Sequence, residues 1–151
     1  SDIRAMIVGD GPAKKELEHM LPEAHSTGFI TGDELSRAYA SSDVFLFPSE
    51  TETFGNVTLE ATSSGLPCVV ADATGSRSLV ESGVNGFLAA PRDTQGFAQR
   101  VANIANDEEL WDQMSKAARQ KALAYSWENV NNKLLENYRE ALREPRPALK
   151  F

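Results

Sequence analysis

One cysteine and two histidines among 151 residues leave little room for disulfide or metal chemistry. Cys68 has no partner for an internal disulfide, and without a cluster of Cys and His the ligand spacing of a structural zinc site is missing. Cys68 stands in the apolar run LPCVVA at residues 66–71, where a small buried side chain is expected rather than a reactive thiol. Such cysteine usage fits a reducing compartment, so a cytoplasmic location is expected. No stretch approaches the roughly 20 apolar residues a membrane helix needs, and no transmembrane segment is expected. Basic residues are outnumbered 15 to 22, a formal charge of -7, which argues against binding nucleic acid or an anionic membrane face through bulk charge. The chain opens SDIRAMIVGD, with no basic stretch ahead of a long apolar one, and runs directly into a strand pattern, as expected of a start inside a longer protein rather than of a signal peptide.

What is present is enough apolar content, 41%, for the core of one domain. Short apolar runs alternate with amphipathic stretches, which predicts an α/β fold: a Rossmann-like open parallel sheet flanked by helices, with helices at the C-terminal end. Strands are expected at residues 3–8, 26–30, 44–47, 67–71 and 87–89. Between them, Pro12 begins a helix over residues 13–21 as a first-turn proline. A second helix runs to Ala40, with Thr31 or Asp33 able to cap its free amides. A third covers residues 54–64, ended by Gly65, and a short fourth covers residues 77–82. Three more helices, residues 94–105, 108–124 and 127–142, follow without another strand. The domain is expected to span residues 1–142 and a tail residues 143–151, with Pro145-Arg146-Pro147 as a frayed end.

In open parallel sheets ligands bind in the crevice outside the carboxyl ends of the strands. The loop Gly9-Asp10-Gly11-Pro12 lies at such an end but lacks the third glycine of a dinucleotide fingerprint, so a tight turn is expected there. The loop from Pro48 to Gly55 holds more. Asn56, Glu60 and Ser63 or Ser64 fall on one helical stripe, beside an apolar stripe of Val57 and Ala61. Glu52 leaves the third strand at the mouth of the same crevice. Between the glutamates, Phe54, Gly55, Asn56 and Val57 form a helix start whose free amides and positive dipole end suit a phosphate or diphosphate. Gly55 allows close approach of a ligand. Carboxylates accepting from sugar hydroxyls and amides donating to phosphate oxygens would together grip a polyhydroxyl diphosphate. Each glutamate also has an ordinary reading, Glu52 as an acid stabilising the helix entry and Glu60 as a partly exposed helical residue. His19 and His25 lie outside the crevice loops and are expected at the surface or in packing. Trp111, Trp127 and Tyr138 are expected to pack rather than to stack on sugar rings.

Taken in order, VGDGP at residues 8–12, Gly32 with Glu34-Leu35, Phe47-Pro48-Ser49, Glu52 and Glu60 with seven residues between them, Phe54-Gly55, Glu60-Ala61, Gly65-Leu66-Pro67, GVNGFL at residues 83–88 and Tyr125-Ser126-Trp127-Glu128 resemble the nucleotide-binding half of family 4 retaining glycosyltransferases of the GT-B fold. The resemblance covers nearly the whole chain. It implies transfer of a hexose from a UDP-, GDP- or ADP-sugar with retained configuration, usually without a metal and with no cofactor beyond that donor. It gives Glu52 the donor sugar hydroxyls and the placing of the anomeric carbon, and Glu60 the ribose. The backbone of Phe54, Gly55, Asn56 and Val57 would take the donor sugar and diphosphate, and Ile30 and Thr31 would line the base pocket. Glu50 rivals Glu52, but nine residues separate it from Glu60. Thr74-Gly75-Ser76-Arg77-Ser78 departs from the family's two glycines and acid. The family's Arg and Lys pair for the diphosphate, and the acceptor-binding half that precedes it, find no counterpart here. An N-terminally truncated donor domain is therefore expected, inactive as an isolated fragment, whose partners are a nucleotide sugar and the absent acceptor half. Through that half it could lie at the cytosolic face of a membrane. The alternative is a non-catalytic α/β module that binds a protein partner.

Overall fold

The computed structural model describes residues 3–143. Its centre is the strand β4 (Cys68–Ala71), whose four residues are all completely buried. A parallel strand covered on both faces must be apolar at every position, and CVVA is. It pairs in parallel with β3 (Phe45–Phe47) on one side, Phe45 opposite Cys68, and with β5 (Gly86–Ala89) on the other, Val69 opposite Phe87. Side chains alternate between the faces along a strand. Val69, Ala71 and Ala89 enter a core with Phe97, Ile104 and Met114, contributed by α5 (Thr94–Ala105) and α6 (Glu108–Leu123). Cys68 and Val70 point the other way, into a core with Ala61, Leu66 and Val80. Ala61 belongs to α3 (Asn56–Ser63), and Val80 directly follows α4 (Thr74–Leu79). Asp93 and Asp107 cap α5 and α6, each accepting an amide hydrogen from three residues on, at 2.9 Å. Such caps contribute about 1 kcal/mol each.

A second, two-stranded parallel sheet pairs β1 (Met6–Val8) with β2 (His25–Gly28) through the helix α1 (Lys14–Met20). It is not hydrogen-bonded to the first sheet, so the expected parallel sheet is present in two pieces. Helix α2 (Gly32–Ala40) links the two, and its Tyr39 packs against Phe45 of β3 with ring centroids 6.0 Å apart. The last helix, α7 (Trp127–Arg143), has no buried residue. Among the described residues, no helix is long and apolar enough to cross a membrane.

Several expected boundaries move for local reasons. Pro12 sits in the turn before α1, where the Lys14 amide donates to the Gly11 carbonyl at 3.1 Å. Thr31 occupies the N-cap position of α2 in an extended conformation, but no side-chain hydrogen bond caps that helix. The third helix begins at Asn56 rather than Phe54. The fourth is Thr74–Leu79 instead of residues 77–82. Buried Asn85 accounts for the end of the helix: its Nδ2 donates to the Leu79 carbonyl at 2.9 Å and its Oδ1 accepts from the Glu81 amide at 2.7 Å, so the chain leaves the helix at Leu79 with Val80 extended, and the turn follows at residues 83–85. Arg143, placed in the tail by sequence, still belongs to α7. Pro145-Arg146-Pro147 lie outside the described residues.

Candidate functional site

The stretch after β3 is shaped by two glycines. Gly55, the N-cap of α3, has φ 91°, in the left-handed region, which costs other residues about 1–2 kcal/mol. There is little space for a side chain either: a Cβ there would lie 3.1 Å from Ser76 Oγ. Gly75 is tighter still. A Cβ at that position would stand 2.4 Å from the carbonyl carbon of Phe54, and the Gly75 amide donates to the Glu52 carbonyl at 2.9 Å. Behind this crossing, Thr58 Oγ1 and Ser76 Oγ share a buried hydrogen bond of 3.0 Å. The loops after β3 and β4 therefore lock together through their backbones, and residues 52–58 are held by the start of α4. Outside the lock, the half-exposed Phe54 ring meets Tyr125 edge-on, centroids 5.9 Å apart.

The first backbone bond of α3 runs from the Leu59 amide to the Gly55 carbonyl at 2.9 Å. The amides of Asn56, Val57 and Thr58 come before it, at the positive end of the helix, where an anion is stabilised. Asn56 is exposed and Val57 half-buried. One turn on, Glu60 faces solvent, next to buried Ala61. It is not left loose: Tyr39 donates its hydroxyl to Glu60 Oε2 at 3.1 Å and approaches the Val57 carbonyl at 3.4 Å. Burial, together with the Glu60 charge and this hydrogen bond, pushes the Tyr39 phenol well above its ordinary value, so it keeps its proton and remains the donor.

The two candidate acids after β3 differ. Glu50 Oε1 pairs with Arg92 Nε at 3.4 Å, across from the end of β5. Glu52 is half-buried, and its backbone carbonyl is engaged by Gly75. Ile30 is half-buried and Thr31 exposed, in the link between β2 and α2. The structure thus joins Glu52, Phe54, Gly55, Asn56, Val57 and Glu60 in one segment, while Ile30 and Thr31 connect to it through α2 and Tyr39. His19 and His25 are exposed. Trp111 packs on the core and donates its Nε1 hydrogen to the Asp43 carbonyl at 2.7 Å, whereas Trp127 and Tyr138 are 80% and 59% exposed. Among the described residues, no three His, Cys, Asp or Glu side chains gather as a metal site.

Sequence reading missed Tyr39 and Arg92, and saw Gly75 with Ser76 only as a departure from the family's pattern, not as the partner of residues 52–58. Tyr39 carried one usable signal, an aromatic with a polar tip in the last turn of a helix leading into an apolar strand. The other contacts depend on loops distant in sequence.

The sequence model described as Glycosyl transferases group 1 matches residues 1–107. Sulfoquinovosyl transferase SQD2 of Arabidopsis thaliana is 41% identical over 147 residues, 93% of this chain and 29% of that protein. A GDP-mannose-dependent alpha-mannosyltransferase of Corynebacterium glutamicum is 37% identical over 142 residues, 94% of this chain and 34% of that protein. Among solved structures, Anabaena Alr3699/HepE in complex with UDP superposes with a TM-score of 0.80 at 27% identity, over 91% of this chain and 41% of that one. The chain spans about a third of the length of the curated relatives it matches. With its parallel strands between helices, its segment Glu52 to Glu60 and these matches, the chain belongs to the group 1 glycosyltransferases.

Proposed function

We propose that this chain is the donor-binding part of a retaining hexosyltransferase and takes a UDP-, GDP- or ADP-sugar at the N-terminal end of α3. The observation that supports it best is the segment at residues 52–60, locked over residues 52–58 by the start of α4, which carries the helix-start amides and two glutamates. The amides of Asn56, Val57 and Thr58, with the α3 dipole, would bind the diphosphate and stabilise its charge as it departs, the main electrostatic demand of glycosyl transfer. Gly55 would let the donor approach the backbone at Phe54. Glu52 would accept from the sugar hydroxyls and set the anomeric carbon, a role left to it because Glu50 is paired with Arg92. Glu60 would take the ribose hydroxyls, and Ile30 and Thr31 the base. In this reading transfer uses no metal and no cofactor besides the donor.

In this reading the nucleotide-binding unit is residues 1–142. The remaining parts of the active enzyme, the acceptor-binding ones included, belong to a further domain that acts as this chain's partner. Transfer needs both, so the chain alone binds a nucleotide weakly and transfers nothing. Isothermal titration with UDP, GDP and ADP tests the reading. Saturable binding of one of them, lowered on the order of tenfold by Glu60→Ala as expected for loss of a hydrogen bond to a charged group, supports it. A folded chain that binds none at millimolar ligand overturns it.

A second reading, a non-catalytic module that binds a protein partner, draws on α7. Trp127, Val130, Leu134, Tyr138 and Leu142 recur at three- or four-residue spacing and are 43–84% exposed. A partner docking there would be indifferent to Glu60→Ala, which separates the two readings.

A further inference from the structure

The phenol of Tyr39 ties the α2 arm of the molecule to the candidate ribose carboxylate. Its ring is fixed from both directions: it packs with Phe45 at 6.0 Å, and Phe45 stacks on Phe47 at 5.7 Å, so the aromatic body belongs to the edge of the core around Cys68 and Val70. Only the hydroxyl reaches out, to Glu60 Oε2 at 3.1 Å and towards the Val57 carbonyl at 3.4 Å. Among the described residues, the hydrogen bond to the Glu60 carboxylate falls on Oε2, and Oε1 faces solvent with the exposed side chain. A glutamate at a solvent-facing helical position ordinarily samples several rotamers. Here one oxygen is held by a donor that is itself immobile, and the other is left in a fixed direction.

We infer that Tyr39 is a positioning residue that sets the Glu60 carboxylate for reading ribose hydroxyls, and so makes the site select ribonucleotides over deoxyribonucleotides. Tyr39 does not touch the nucleotide in this arrangement. It acts by removing the rotamer freedom that Glu60 would otherwise lose on binding, so that more of the hydrogen-bond energy appears as affinity. A site built to bond a hydroxyl also rejects the analogue lacking it more strongly than an apolar pocket can. This role rests on the donor-binding reading of Glu60 given above, and it adds a residue outside the segment 52–60 together with a substrate property, discrimination at the sugar of the nucleotide.

The test compares affinities of the chain for UDP, GDP and ADP with those for their 2′-deoxy and 3′-deoxy counterparts, in the native sequence and in Tyr39→Phe. Phenylalanine keeps the ring contacts and deletes only the hydroxyl. The native chain should prefer at least one ribonucleotide over its deoxy analogues by on the order of tenfold, and Y39F should lose most of that preference while its affinity for the deoxy analogue stays within twofold. Loss of affinity for both forms together would mark Tyr39 as merely structural and overturn the assignment. Unchanged discrimination in Y39F overturns it while leaving the donor-binding reading intact. A native chain that binds no nucleotide overturns both. Should Y39F lose its fold by circular dichroism, Glu60→Asp, at a solvent-facing position, withdraws the carboxylate from the phenol without entering the core. Discrimination retained by folded E60D overturns the assignment together with the ribose role of Glu60.

Discussion

Strands β1 and β4 are both short apolar segments, MIV and CVVA, in parallel pairs with a helix in the connection, yet they meet different surroundings. Every residue of β4 is completely buried, whereas Met6 and Val8 of β1 remain 38% and 43% exposed. The difference lies in neighbours. β4 has a strand on either side and helices over both faces, and β1 has one strand partner, while α1, the helix that connects the two strands, buries none of its own residues. The same contrast separates α6, which buries Met114, Ala118 and Ala122, from α7, which buries nothing. Apolar content therefore sets what a segment can bury, and position in the fold sets what it does bury.

The sharpest way to break that comparison is in the β4 core. Ile104→Ala, at a side chain 1% exposed among Val69, Phe97 and Met114, should cost about 2–5 kcal/mol through lost transfer energy and a cavity. Urea denaturation reads this as a fall in midpoint with an unchanged slope. A loss below 1 kcal/mol would mean that the core is less tightly formed than the structure has it. Gly75→Ala should follow, at about 1–3 kcal/mol for forcing a methyl against the Phe54 backbone. Because the strain falls on residues 52–55, nucleotide affinity should drop as well, which calorimetry on the same samples would register.

Alkaline pH gives a third contrast. Burial pushes the Cys68 thiol on β4 far above its ordinary value of 9.0. The unfolded chain therefore loses this proton as pH rises past that ordinary value, while the folded chain keeps it. Folded stability, full at lower pH, should fall above it, by at most about 1.4 kcal/mol per pH unit for one proton. Cys68→Ala should flatten that slope, and alkylation of Cys68 in the native chain should proceed only as fast as the chain opens. The smallest effects belong to the exposed partners. Met6→Ala in β1 should cost less than about 1 kcal/mol. Leu134→Ser on α7, at a side chain 47% exposed, should stay within about 0.5 kcal/mol in thermal unfolding of this chain. A large loss from L134S would show that α7 is covered in solution.

Much of the arrangement was legible beforehand. The strands centred on residues 44–47, 67–71 and 87–89 stand out because a segment buried on both faces must be continuously apolar, and α5, α6 and α7 are visible from their periodicity. The N-terminal strands were placed less well, because half-exposed segments such as residues 3–8 give a weaker pattern with blurred ends. Helix α4 shifted by three residues because its end depends on Asn85, a side-chain contact with no local signature. At the candidate site, the nearness of Glu52, Phe54, Gly55, Asn56, Val57 and Glu60 to a helix start could be read from spacing. What holds them could not be.

By itself the sequence determined the alternation of strand and helix, the apolar centre around Cys68 to Ala71, and a carboxylate and a helix start close together in the chain. Those are local properties, written in periodicity and residue type. Only the tertiary structure decided that Gly75 lies against the Phe54 backbone, that Arg92 takes Glu50 while Glu52 stays apart from it, and that Tyr39 holds Glu60. Each of these joins segments from 21 to 42 residues apart, and such a contact exists only once packing of the sheet has fixed where the loops meet.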